Sequence, residues 1–174
     1  MVHGKEEPIR ILLQHTTLQP LSTRISALPR VIIRLGEEYQ GSNAFRAIID
    51  SGSQVNTLPY EVWKATGLPS RRTSATSKGI HAGEVPFFGE VVTNIYLAAD
   101  LCQQAHFFIL PPSKSTDEIL LGMPFVIDTK FSHEYDPSSG YIFGRIVLKG
   151  GIRVQMPVAV TDQPLKASLV LSGD

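Results

Sequence analysis

At 174 residues the chain is long enough to bury a core of its own, and one domain is the most economical division of it. Apolar residues make up 43% and charged residues 18%, the balance of a globular chain rather than a disordered one. Sixteen basic side chains offset sixteen acidic ones, so no bulk field draws in nucleic acid, a membrane surface or an acidic ligand.

A single cysteine, Cys102, cannot close an internal disulfide, and a small buried or half-buried thiol is the plain expectation for it. The opening "MVHGKEEPIRILLQ" has neither the apolar stretch nor the cleavage site of a signal peptide. No apolar run approaches the roughly 18–20 residues that span a bilayer. These features predict a soluble intracellular protein without a membrane partner.

Residues 1–25 show scattered apolar side chains with no sustained period and read as an arm or linker. From residue 26 the texture changes. Val31 to Leu35 is short and β-branched, "EEYQGSN" is a turn cluster, Ala44 to Asp50 is a second strand and "QVNTLP" a third. "PYEVWKATGLP" predicts a helix of about two turns, with Pro59 near its start, Val62, Trp63 and Leu68 on one face, and Gly67 at the exit. "RRTSATSKGIHAGEVPFFGEVVTNIYLAA" then predicts a long hairpin whose tip lies at Gly79 to Gly83. The doublet Arg71-Arg72 within it suits a solvated turn.

Further short strands are predicted at "AHFFIL", "EILLGMPFVI", "FSHEYD" and "GYIFGRIVL", with Asp136 to Gly140 turning between the last two. Residues 26–150 form the predicted domain, and 151–174 a Pro-broken tail. Many short strands with one minor helix predict an all-β barrel or sandwich.

One junction does not fit a plain strand. Ala47-Ile48-Ile49 runs straight into Asp50, and a carboxylate there is costly unless hydrogen bonds or a partner hold it. Gly52 lets the backbone turn and its N–H approach the acid, and the Ser51 hydroxyl can pin the loop. Alone, Asp-[Ser/Thr]-Gly arises by chance in roughly one chain in ten of this length, as a turn after a strand. About seventy residues on, "EILLGMPFV" places Leu120-Leu121-Gly122, two apolar residues and a glycine.

Together, in this order and at this separation, "IIDSGSQVNTLPYEVWKATGLP" and "EILLGMPFV" resemble the retropepsin-like aspartic proteases. The nearest likeness is to the protease domains of long-terminal-repeat retrotransposons of the fungal, gypsy-like type. The resemblance covers about residues 28 to 148. After the D-S-G many retroviral members carry Ala and then an acid, whereas Ser53 and Gln54 follow here.

The resemblance implies a closed antiparallel acid-protease barrel with one or two short helices, half of a twofold-symmetric dimer. In it the strand of Leu120, Leu121 and Gly122 crosses beneath the D-S-G loop. Asp50 is then the catalytic acid, Ser51 the hydroxyl that braces two such loops, and Gly52 the tight turn. The flap over the cleft falls at Gly79, Ile80, His81, Ala82 and Gly83. No metal or cofactor is implied.

Aspartic-protease chemistry uses two carboxylates around one water, one as base and one as acid. Two such charges about 4 Å apart repel by roughly 4 kcal/mol at an effective dielectric near 20, so one of the pair holds a proton. This chain offers one D-S-G only; Asp128-Thr129-Lys130 has lysine in the glycine position. A homodimer in which Asp50 meets its symmetry mate is therefore expected.

The expected substrate is an extended peptide or polyprotein, taken as an added β-strand, with apolar residues flanking the scissile bond. The setting implied is cytoplasmic, within retroelement particles where these form, and the tail can supply a dimer-interface strand. The alternative is a retropepsin-fold module that dimerises or binds extended peptides without cleaving.

Other chemistries are poorly supported by the sequence. The histidines His3, His15, His81, His106 and His133 lack paired metal-ligand spacing, and no Gly-x-Ser-x-Gly elbow, P-loop or dinucleotide glycine pattern occurs. Phe87-Phe88 and Phe107-Phe108 read as core or flap packing rather than base-stacking platforms in a chain of zero net charge.

Overall fold

The strands predicted at Val31 to Leu35 and Ala44 to Asp50 form, and a further strand precedes them in the segment read as an arm. The computed structural model describes residues 10–15, 28–78, 83–113, 118–138, 141–157 and 166–170. Strand β1 is Arg10–His15, β2 Arg30–Gly36 and β3 Ala44–Ile49. On β2, Val31, Ile33 and Leu35 face inward, and on β3 Ala47 and Ile49 do the same. After the loop at Asp50 comes β4, Thr57–Leu58, and then helix α1, Tyr60–Thr66. Pro59 caps α1 at its start, and Gly67 ends it in the left-handed conformation with φ 67°, which glycine adopts without a Cβ penalty. Trp63 packs against the core and donates from Nε1 to the Leu68 carbonyl at 2.9 Å.

The predicted long hairpin divides. Its first part is a two-residue ladder, β5 Thr76–Ser77 with β6 Val85–Pro86. Its last part, β7 Gly89–Ala98, pairs instead with β8 Leu101–Ile109, which begins well before the predicted "AHFFIL". The aromatic residues between the two ladders explain the break. Phe87 turns onto Phe108, stacked at 4.7 Å, while Phe88 lies against Tyr60 and Trp63 of α1 at 4.9 and 5.2 Å. The proposed flap residues Gly79, Ile80, His81 and Ala82 lie outside the described residues; Gly83 leads into β6.

Strand β9, Ile119–Leu121, is the key to the barrel. It runs parallel to β3 (Ala47 to Ile49 opposite Ile119 to Leu121) and antiparallel to β4 (Thr57 opposite Leu120). The barrel closes in the order β2-β3-β9-β4-β8-β7, with β7 returning to β2. Glu118, just before β9, pairs with Arg30 at 2.9 Å and so ties β9 to β2 across β3.

"EILLGMPFVI" is not one strand. It stops at Leu121, and Met123–Asp128 forms helix α2. Pro124 sits in the first turn, where its missing N–H is no loss, and Phe125 turns into the core. Among the described residues there are thus two short helices, within the one or two that the resemblance implies, although the local pattern points only to the first. Asp128 and Thr129 close α2: the Thr129 hydroxyl, buried, donates to the Phe125 carbonyl at 2.7 Å. That places Asp128-Thr129 at a helix end rather than in a catalytic-type loop.

The segments read as an arm and a tail enter a second sheet, ordered β10-β11-β12-β1-β13, with β10 Ser132–Asp136, β11 Tyr141–Val147, β12 Arg153–Pro157 and β13 Lys166–Val170. The sheet thus crosses position 150, where the sequence suggests a boundary. β1 runs parallel to β12 and antiparallel to β13. Asp136 turns β10 into β11 by accepting from the Ser138 backbone N–H at 3.0 Å, as expected for that Asp-Pro-Ser stretch. Ile146, Leu148, Val154 and Met156 belong to the same buried cluster as the barrel's Ile33, Phe107 and Leu121. One core therefore serves both sheets.

Cys102 is exposed on the outer face of β8, not buried as expected. Among the described residues no helix is long and apolar enough to cross a membrane.

Lys130 takes φ 50°, in the left-handed region, one residue after the Thr129 that caps α2. A side chain there costs about 1 kcal/mol that glycine avoids. Lys130→Gly is expected to raise stability by about 0.5 kcal/mol after the entropy glycine adds to the unfolded chain. A higher urea midpoint with unchanged slope checks this; a lower midpoint refutes it.

Candidate active site

Asp50 follows the last residue of β3 because the strand's inward face ends at Ile49, leaving the next side chain at the barrel's rim. Its backbone N–H donates to the Leu121 carbonyl at 2.9 Å, continuing the β3–β9 ladder by one bond. The half-buried carboxyl is held on one side only: the Gly52 N–H donates to Oδ1 at 2.8 Å, and among the described residues Oδ2 accepts no hydrogen bond. Ser53 N–H closes the turn on the Asp50 carbonyl at 3.1 Å.

Gly52 owes its identity to closeness. A Cβ at this position would stand 3.1 Å from Asp50 Oδ1, tighter than ordinary van der Waals contact. Its φ is not in the left-handed region, so the role expected of it is filled by approach to the acid rather than by backbone conformation. Ser51 is exposed at the tip of the loop.

The loop rests on the junction between β9 and α2. The Met123 N–H donates to the Ser53 carbonyl at 2.8 Å, and the Gly122 N–H to Asn56 Oδ1 at 2.8 Å. Gly122 lies flat beneath the chain: a Cβ there would sit 2.3 Å from the Val55 carbonyl oxygen and 2.7 Å from that of Ser53. Leu121 points into the core, fully buried, while Leu120 is half-buried on the strand's other face.

Asp50, Ser51, Gly52, Leu121 and Gly122 are thus brought together, with Leu120 beside them. Gly83 is exposed on the arm leading into β6, where an added Cβ would meet nothing within 4 Å.

Asn56 is the residue sequence reading passed over. It is 2% exposed, and its Nδ2 donates to the His106 carbonyl at 3.0 Å. The available signal was an amide inside the apolar run Val55-Asn56-Thr57-Leu58, the same kind of anomaly that singled out Asp50.

Outside the loop, His106 lies against Glu90 at 3.2 Å, and Arg71 pairs with the same carboxylate at 3.1 Å. His133 is exposed beside Phe131. Among the described residues no group of three or more His, Cys, Asp or Glu is placed to hold a metal ion.

A carboxylate with one oxygen fixed by a backbone N–H and the other open to the rim can orient a water or accept a proton. A single such group lacks the acid partner that peptide hydrolysis by this route requires.

No protein-family model and no curated protein matches the chain.

Replacing Gly122 by Ala forces two backbone carbonyls apart and is expected to cost about 3 kcal/mol. Gly83→Ala, where an added Cβ meets nothing within 4 Å, is expected to stay within about 0.5 kcal/mol of the parent. Paired urea denaturation checks both, and equal midpoints would contradict the crossing described.

Proposed function

We propose that the chain is one half of a homodimeric aspartic endopeptidase of the retroelement type, acting on extended peptide or polyprotein segments. The observation that carries this reading is the crossing at Gly122. A strand parallel to β3 and antiparallel to β4 passes beneath a loop whose first residue is a half-buried aspartate. A plain turn after a strand needs no such support, and a chance D-S-G would not be expected to rest on an apolar-apolar-Gly strand.

In this reading Asp50 and the Asp50 of a second copy share one proton around a water. The ionised one takes a proton from the water as it attacks the scissile carbonyl; the protonated one donates to the carbonyl oxygen. Collapse of the tetrahedral intermediate passes a proton to the leaving nitrogen, and the C–N bond breaks. Gly52 N–H, by holding Oδ1, fixes which face of the carboxyl meets the water. The exposed Ser51 is free to brace the partner's loop, and Gly79 to Gly83 remain the proposed flap.

Asp50→Asn is expected to lower cleavage of an apolar-rich peptide library at mildly acidic pH by about 10³-fold or more, with sedimentation unchanged. Because each site needs two chains, the parent's activity per chain is expected to fall on dilution through the dimer's dissociation range. A dimer that binds peptides yet never cleaves them points to the non-cleaving module instead. Cleavage carried by a monomer excludes the shared site.

A further inference from the structure

We propose that Asn56 is the positioning residue of the Asp50 loop, setting through its side-chain amide where Gly122, and with it the Asp50 carboxyl, comes to rest. The inference rests on the reading of Asp50 as the catalytic acid, but the geometry behind it is independent of that reading.

Three hydrogen bonds fasten the loop to the β9–α2 junction. Two are backbone to backbone, Asp50 N–H to the Leu121 carbonyl and Met123 N–H to the Ser53 carbonyl. Any sequence that reached this fold could make them. The third, Gly122 N–H to Asn56 Oδ1 at 2.8 Å, is the one a side chain supplies, so it is the one the residue identity at 56 controls.

The same amide reaches β8 through Nδ2 to the His106 carbonyl at 3.0 Å, and the Asn56 carbonyl accepts from the Phe108 N–H at 2.9 Å. Asn56 is therefore the node at which the far arm of the loop, β8 and β9 are joined.

The residue type follows from the demands of the node. One neutral side chain must offer an acceptor toward Gly122 and a donor toward His106 while almost fully buried. An apolar residue would leave a buried N–H and a buried carbonyl without these partners. An aspartate keeps the acceptor and turns an oxygen against the His106 carbonyl.

The consequence for the acid is mechanical. Gly122 lies against the Val55 and Ser53 carbonyls, so a shift at the crossing moves the arm that bears Asp50 and the Gly52 N–H that orients it. Misplacing a reacting group by about 1 Å can cost on the order of 100-fold in rate.

The test compares three variants of the full chain: N56A, N56D and, as a control for lost stability alone, Ile95→Val in the barrel core. Each is assayed below its melting range. N56A is expected to lower kcat about 30–100-fold with KM within about twofold, since Asn56 is 2% exposed and offers a peptide no contact of its own. N56D, which retains the acceptor for Gly122, is expected to recover most of kcat although it melts earlier. Ile95→Val is expected to melt earlier with kcat unchanged.

Parental kcat in folded N56A, or N56D as slow as N56A, overturns the proposal. Amide exchange read by NMR decides the same point without turnover. N56A is expected to speed exchange at Gly122 and shift the Gly52 amide while the amides of Val31 and Ile33 hold, and N56D to keep Gly122 protected. Uniform acceleration across the barrel would make Asn56 a general stability residue and overturn the proposal. Should the parent cleave nothing, the catalytic reading fails, and the exchange pattern still settles whether Asn56 positions the loop. If N56A does not fold, N56D and its Gly122 protection carry the decision.

Discussion

Two backbones meet at Gly122 with no room for a side chain between them, and the barrel is organised around that contact. A methyl group there would stand 2.3 Å from the Val55 carbonyl oxygen, well inside any tolerable separation. Because the glycine lies so flat, β9 can slide between β3 and β4 and hydrogen-bond to both. That insertion closes the barrel, and it also brings Leu121 and Met123 within reach of the loop that starts at Asp50. Fold closure and the placing of the carboxylate are thus one event. A change that loosens the crossing loosens both.

The rest of the chain is arranged about the same end. β3 and β9 run parallel, so they deliver Asp50 and Gly122 together. Helix α2 hangs from Gly122, and its capping residue Thr129 offers its carbonyl to the Val147 N–H at 2.6 Å, bonding the helix end to β11 of the second sheet. Arg10 of β1 bonds to Asp100 in the turn between β7 and β8. The second sheet, with the strands nearest both ends of the described chain, is consequently tied to α2 and to the barrel rather than trailing from it.

Much of this was legible in the residues. The strands of Val31 to Leu35 and Ala44 to Ile49 follow from β-branching and alternation, and the short helix from Pro59 to Gly67 from its punctuation. The oddity of Asp50 after an apolar run was visible, as was the Leu120-Leu121-Gly122 stretch. Helix α2 was hidden because Phe125-Val126-Ile127 is β-branched and apolar enough to pass for a strand; only Pro124 in the first turn spoke against it. Strands β1 and β13 show no local period and depend on one another and on β12 for their pairing, which no short window contains. Asn56 escaped notice for a similar reason, since its two partners lie 50 and 66 residues away.

On this account two copies of Asp50 face each other across a twofold axis, with the exposed Ser51 of each loop beside the other. Interchain cross-linking of Ser51→Cys, in a Cys102→Ala background that removes the native thiol, tests that arrangement most directly, because a disulfide forms only where Cα atoms come within about 7 Å. The expected result is a covalent dimer formed rapidly under mild oxidation and dispersed by reductant, while a cysteine at exposed Ser138 gives none. A chain that stays monomeric, or cross-links through Ser138→Cys as readily as through Ser51→Cys, would contradict a shared site.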